Sequence, residues 1–158
     1  MMGSATAWMD RLVKALKKQF GERLLFVGLQ GSYARGEASD SSDIDAVVIL
    51  DRAAMQDLQD YRSLLKRMPF SEKACGFLSG REELVNWDRA DLFQFYQDTL
   101  PLYGSLQSLI PAPTRQEAVR AVLTGACNLY HACCHNIVHE RDAALLASLY
   151  KSAVFVLQ

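Results

Sequence analysis

The sequence predicts an α/β domain of the α+β kind, followed by a C-terminal helical hairpin or partial bundle. Three observations carry this. Two apolar runs of strand length, Leu24–Leu29 and Ile44–Leu50, stand early in the chain. Segments with helical spacing of apolar residues precede and follow them. A long helical pattern opens after a proline-bracketed stretch near residue 113.

The elements follow in order. Trp8, Leu12, Leu16 and Phe20 recur at helical spacing, and Gly21 closes that segment. Leu24–Leu29 then forms a buried strand, and a turn-rich stretch, Gln30 to Gly36, runs on through Ser39, Asp40, Ser41 and Ser42. Ile44–Leu50 is the second strand, with Asp43 at its start and Asp45 inside it. Met55, Leu58, Tyr61, Leu65 and Met68 mark a helix that Pro69 stops. Lys73–Ser79 is a third strand, 81–97 is mostly helical, and 101–103 is a short edge strand. Pro111 and Pro113 make 105–114 the expected linker. Thr114-Arg115-Gln116-Glu117 matches a capping box that opens a helix to about His139. Asp142 caps a last helix that reaches an apolar end with no capping residue. The expected division is therefore 1–104, a linker over 105–114, and a helical region over 115–158. Two helices bury too little by themselves, so the second region is expected to pack on the first, on another copy, or on further sequence, a truncated bundle being the favoured reading.

The chain has 158 residues, half of them hydrophobic, enough for one ordinary domain with an appendage. Lys and Arg total 17 against 18 acidic residues, a balance that argues against a nucleic-acid partner. No apolar run approaches the ~20 residues a membrane helix needs, and residues 1–10 carry no signal-peptide pattern. The four cysteines, Cys75, Cys127, Cys133 and Cys134, include an adjacent pair that cannot bridge easily in a helix. Free thiols and a cytoplasmic location are expected.

The chemistry concentrates between Gly31 and Asp51. Asp43 and Asp45 are two apart at a strand start, which puts both carboxylates on one face, about 6.5–7 Å apart along the chain. Such a pair calls for a cation. Mg²⁺ suits it, since it is held by one or two carboxylates, waters and substrate phosphates. Gly31 and Ser32 directly follow a strand; the glycine lets backbone N–H groups approach a phosphate, and the serine adds a donor. Arg35 either meets a phosphate or pairs with Glu37 or Asp40. A phosphate turn and a metal-holding acid pair about a dozen residues apart are what transfer of a nucleotide from a triphosphate needs.

The pattern Gly31-Ser32, then Ala34-Arg35-Gly36, then Ser42-Asp43-Ile44-Asp45 resembles the signature of the minimal nucleotidyltransferases of the DNA polymerase beta superfamily. The order of elements from Leu12 to Gly104 is also similar. The resemblance implies a mixed sheet with helices on one side, often with an appended bundle. It implies that Gly31 and Ser32 grip triphosphate oxygens, with Arg35 beside them, and that Asp43 and Asp45 are the catalytic Mg²⁺ ligands. The implied reaction moves an NMP, AMP by preference, from an NTP such as ATP to a hydroxyl or phosphate of a small-molecule or protein acceptor. The family usually has a third carboxylate on a later strand, and Cys75 occupies that position here. Alternation sends Glu72 to the opposite face, and Asp91 or Asp98 reaches the site only if the strand assignment fails. An NTP-binding module without transfer activity, a sensor or an antitoxin-like partner, is therefore the alternative. His131, His135 and His139 recur every four residues; a structural or acceptor-side role outweighs a metal site, because that spacing drifts around the helix. Cys75 and the aromatics Trp87, Phe93, Phe95 and Tyr96 are expected in the core.

Overall fold

The computed structural model describes residues 2–157, with side chains described from Ala5 onward; Met1 and Gln158, the outer limits of the expected regions, lie outside the described residues. The chain divides into two compact units, 1–87 with 95–112, and 88–94 with 113–158.

In the first unit, helix α1 (Met2–Phe20) leads through a 3₁₀ turn into strand β1 (Leu24–Gln30). Helix α2 (Gly31–Arg35) follows without a break, and then strand β2 (Ile44–Leu50), helix α3 (Met55–Leu65) and strand β3 (Ala74–Gly80). Helix α4 (Arg81–Val85) and strand β4 (Leu100–Tyr103) complete its series, and helix α5 (Arg89–Asp98) is divided between the two units, its residues from Phe95 onward belonging to the first. The four strands form one sheet in the order β3-β2-β1-β4. β1 pairs antiparallel with both β2 and β4, whereas β2 and β3 are parallel. Parallel neighbours need a long crossover, which α3 supplies.

Alternation along β2 assigns the two faces. Ile44, Ala46, Val48 and Leu50 join Trp8, Met9, Leu12, Leu16 and Phe20 of α1 and Tyr61 and Leu64 of α3 in one buried cluster. The α1 stripe is the one its spacing predicts, and each fully buried Leu or Met contributes about 1.5–3 kcal/mol. Trp8 Nε1 donates to the Pro69 carbonyl at 2.6 Å, so the cluster's largest side chain is also satisfied. Asp45, Val47 and Ile49 alternate onto the opposite face. That face is not bare: the Phe77 ring stacks on Trp87 at 5.5 Å, and Phe95 meets both, at 5.6 and 5.7 Å. Phe95 is buried, while Trp87 keeps 38% of its surface exposed and covers the cluster's rim.

Two expectations change here. The stretch expected as a linker belongs to the first unit as far as Ala112: a 3₁₀ turn spans Leu106–Ser108, and Leu106 and Ile110 are buried. The prolines stop a helix but do not prevent docking of two apolar residues four apart. Cys75, expected in the core, is exposed, because β3 is an edge strand with its second and third residues open to solvent.

The second unit carries helix α6 (Arg115–His135), a π-turn over Asn136–Glu140, and helix α7 (Ala143–Leu157). Thr114 caps α6 as its sequence predicts: Glu117 N–H donates to Thr114 Oγ1 at 3.3 Å, and Thr114 N–H donates to Glu117 Oε2 at 2.6 Å. Arg89 grips the same carboxylate through Nε at 2.6 Å and Nη2 at 3.3 Å. That guanidinium and the Thr114 N–H hold the Glu117 carboxyl down at about 2. Asp142 caps the start of α7 by accepting from Ala144 N–H. No helix of the described residues is long and apolar enough to cross a membrane.

Candidate functional site

The site is built where β1 ends and α2 begins. Gln30, the last residue of β1, pairs in register with Asp45 of β2. The chain then turns through Gly31 at φ +70°. A side chain there would be strained by that dihedral and would run into the Asp45 carboxylate. Glycine is thus required twice over: the turn lies flat against the acid. The sequence brings Gly31 and Asp45 together because β1 and β2 are antiparallel neighbours joined by a short helix and a polar loop.

That loop is held by its serines. Ser39 N–H donates to Ser42 Oγ at 2.9 Å, and Ser39 and Ser41 share a hydroxyl contact at 3.0 Å. The loop delivers Asp43, which is exposed, to the start of β2, one residue before the strand; Asp45 is half-buried within it. Ser32 follows Gly31 on α2 and is half-buried, and its hydroxyl has no hydrogen-bond partner among the described residues.

Arg35 stands at the end of α2, and its guanidinium meets carboxylates. Nε lies 3.0 Å from Glu37 Oε2, one of the two pairings the sequence left open, and Nη1 lies 2.6 Å from Asp98 Oδ1. The two acids raise the Arg35 pKa against the opposing pull of desolvation. Asp98 was expected near the site only through a wrong strand assignment. The strands are as expected, and Asp98 arrives from the C-terminal end of α5, where its Oδ2 also accepts from Gly31 N–H at 3.2 Å.

Across the parallel ladder, Asp45 is paired with Cys75. Ala74 and Leu78 pack against the α1 side of the sheet, so Cys75 shares the face of Asp45. Among the described residues, no three His, Cys, Asp or Glu groups are placed to hold a metal ion; this covers the His131, His135 and His139 row as well. Those three rings run down α6 into the π-turn, with centroids 6.4 and 4.9 Å apart. Two carboxylates still suit Mg²⁺, whose other ligands are usually waters and substrate phosphates.

Residues 9–93 match the family model of the nucleotidyltransferase domain. The chain belongs to the nucleotidyltransferase family. Residues of this nucleotidyltransferase are 38% identical, over 72 positions, to a protein adenylyltransferase MntA from Thermococcus cleftensis, covering 46% of this chain and 63% of that protein. The fold is similar to a crystal structure of spectinomycin adenyltransferase AAD(9) from Enterococcus faecialis with ATP and spectinomycin. The TM-score is 0.55 at 17% identity, over 78% of this chain and 66% of that one. A toxin-antitoxin structure with AMP-PNP aligns at a TM-score of 0.46 and 17% identity, over 84% of this chain and 95% of that one. The nucleotidyltransferase thus spans under two thirds of the adenylyltransferase relative's length. The matched family segment includes Gly31, Ser32, Arg35, Asp43 and Asp45, and stops short of Asp98.

Proposed function

We propose that this protein is a nucleotidyltransferase enzyme that moves AMP from Mg-ATP to a hydroxyl or phosphate of an acceptor molecule. The observation that carries the reading is the Gly31 turn lying flat against the Asp45 carboxylate: lacking a side chain, Gly31 lets the turn that presents Ser32 close directly onto an acid of metal-ligand type. Membership of the family supports the reaction class, and the MntA relative supports adenylyl as the group transferred.

In this reading Ser32 Oγ donates to a triphosphate oxygen, and Gly31, having no side chain, lets the turn that carries Ser32 lie against Asp45. Arg35 belongs to the same nucleotide-binding turn, through the carboxylates it holds. Asp43 and Asp45 are the residues that would hold magnesium, which when bound neutralises phosphate charge and orients the α-phosphate. An acceptor oxygen then bonds to the α-phosphorus as the bond to the β-phosphate bridge breaks, and pyrophosphate leaves. Free cysteines throughout the described residues support a reducing, cytoplasmic setting. Exposed Val122, Leu123, Leu146 and Val154 on the C-terminal helices support association of two copies.

A second reading rests on Cys75, which stands opposite Asp45 where a third carboxylate is expected. It is an NTP-binding module that acts as a sensor or antitoxin-like partner without transferring the nucleotide. Calorimetric titration with Mg-ATP followed by pyrophosphate release across a panel of acceptors separates the two. The enzyme reading expects both binding and release, with release abolished in Asp45→Ala at an unchanged circular dichroism spectrum. Full release in that variant refutes the assignment, and binding without release from any acceptor favours the module.

A further inference from the structure

The turn that would receive the nucleotide is braced from a part of the chain well outside the motif. Asp98 and Thr99, consecutive residues at the end of α5, grip Gln30 and Gly31, consecutive residues at the end of β1. Gln30 Nε2 donates to Thr99 Oγ1 at 2.7 Å, and Thr99 Oγ1 donates in turn to the Phe95 carbonyl at 2.5 Å. Beside this pair, Gly31 N–H donates to Asp98 Oδ2, and Arg35 Nη1 reaches Asp98 Oδ1. Both oxygens of one carboxylate are therefore spent on the first and last residues of α2. The two side chains of the Arg35–Asp98 pair are only 20% and 16% exposed, so water screens them little.

The charges decide what Arg35 does. Its single positive charge faces two carboxylates, Glu37 and Asp98, leaving the trio net negative. A guanidinium neutralised in this way is a poor attractor for a triphosphate but a good strut. The Gly31 N–H is likewise committed to Asp98 rather than open to a ligand.

Resting on the nucleotide-binding reading above, we infer that Asp98 is a positioning residue: through Gly31 N–H and Arg35 it sets the pitch of α2, and so the place where Ser32 meets phosphate. Thr99 reinforces the same corner through Gln30. Asp98 touches no reacting atom in this role. It keeps the turn pressed against Asp45, so that the phosphate-facing hydroxyl and the metal-facing acid hold one spacing. The effect should fall on the phosphate tail and be indifferent to the base.

The test measures equilibrium binding of Mg-ATP and of Mg-tripolyphosphate, a probe with no base, to the wild-type chain and to Asp98→Asn. Both affinities should fall by about tenfold or more, and by the same factor, since both bonds of the carboxylate lose their charge and the single amide oxygen can accept only one of them. Arg35→Lys should lie between wild type and Asp98→Asn, because an ammonium cannot serve two carboxylates in fork geometry. Asp57→Asn is the control for general loosening. It breaks another ion pair of the same unit, to Arg23 at 2.8 Å, and should lower the melting temperature without moving either affinity. The inference is overturned if Asp98→Asn binds both probes as tightly as wild type or tighter, or if Asp57→Asn weakens binding equally. It is also overturned if ATP affinity drops while tripolyphosphate affinity holds. A wild-type chain that binds neither probe would instead sink the nucleotide reading, and this assignment with it.

Discussion

Replacing Gly31 with alanine tests the geometry on which the site depends, and Gly36→Ala supplies its reference. Both glycines have left-handed backbone, φ +70° and +75°, at the two ends of α2. An L-residue pays about 1–2 kcal/mol for that conformation, so this cost is common to both variants. The surroundings differ. A methyl group at 36 meets nothing within 4 Å, whereas at 31 it runs into the Asp45 carboxylate. Turning that side chain off its rotamer adds about 0.5–1.5 kcal/mol. Gly36→Ala should then lower stability by about 1–2 kcal/mol and Gly31→Ala by about 1.5–3.5 kcal/mol. At roughly 2–4 °C per kcal/mol for a chain of this size, the two melting temperatures should differ by a few degrees. Thermal melts followed by circular dichroism read that difference, and titration with Mg-ATP reads the functional half. Gly36→Ala should bind nucleotide as wild type does, while Gly31→Ala, with Asp45 displaced, should lose at least tenfold. Equal melting temperatures together with equal nucleotide affinities would refute the claim that the turn presses on Asp45.

Acid should destabilise the protein partly through Asp57. Its carboxyl, hydrogen-bonded first by Arg23 and then by Ala54 N–H, is held at about 2 against an ordinary 3.8. A carboxyl depressed by folding stabilises the folded state above its unfolded value and loses that contribution as pH falls through the folded one. Urea midpoints should therefore drop between about pH 4 and pH 2, and Asp57→Asn should flatten part of that slope; an unchanged slope would contradict the ion pair's role. In the second unit, Thr114→Ala removes the cap of α6 and should cost about 1 kcal/mol, with Thr114→Ser restoring most of it. A melting temperature unaffected by the alanine variant would mean that α6 does not depend on its cap.

What the sequence discloses is what local spacing encodes. The α1 stripe, the two central strands and the Thr114 capping box all follow from periodicity or from a short-range hydrogen-bond pattern. The family resemblance marks Cys75 as the position of the usual third carboxylate, and the parallel ladder of the structure then sets it opposite Asp45. Asp98 is illegible for the opposite reason. It lies 67 residues from Gly31, on a helix whose other acid, Asp91, looks no different, and packing of the α5 end against the β1 end is what selects it. The Ser105–Pro113 stretch misleads because prolines report on backbone regularity and are silent on burial. Leu106 and Ile110, four apart, were the signal that it docks. The exposure of Cys75 depends on which strand lies outermost, a matter of sheet order that no local pattern carries.

The outermost strand on the other side has its own consequence. β4 is four residues long, pairs with β1 alone among the described residues, and places Pro101 opposite Gly28, where the register slips. A residue with no N–H and a fixed φ, set in so brief a rim, gives an incoming chain a broken row of donors to copy. A molecule that joins this protein there is recognised more by side-chain shape and charge than by extension of the backbone ladder.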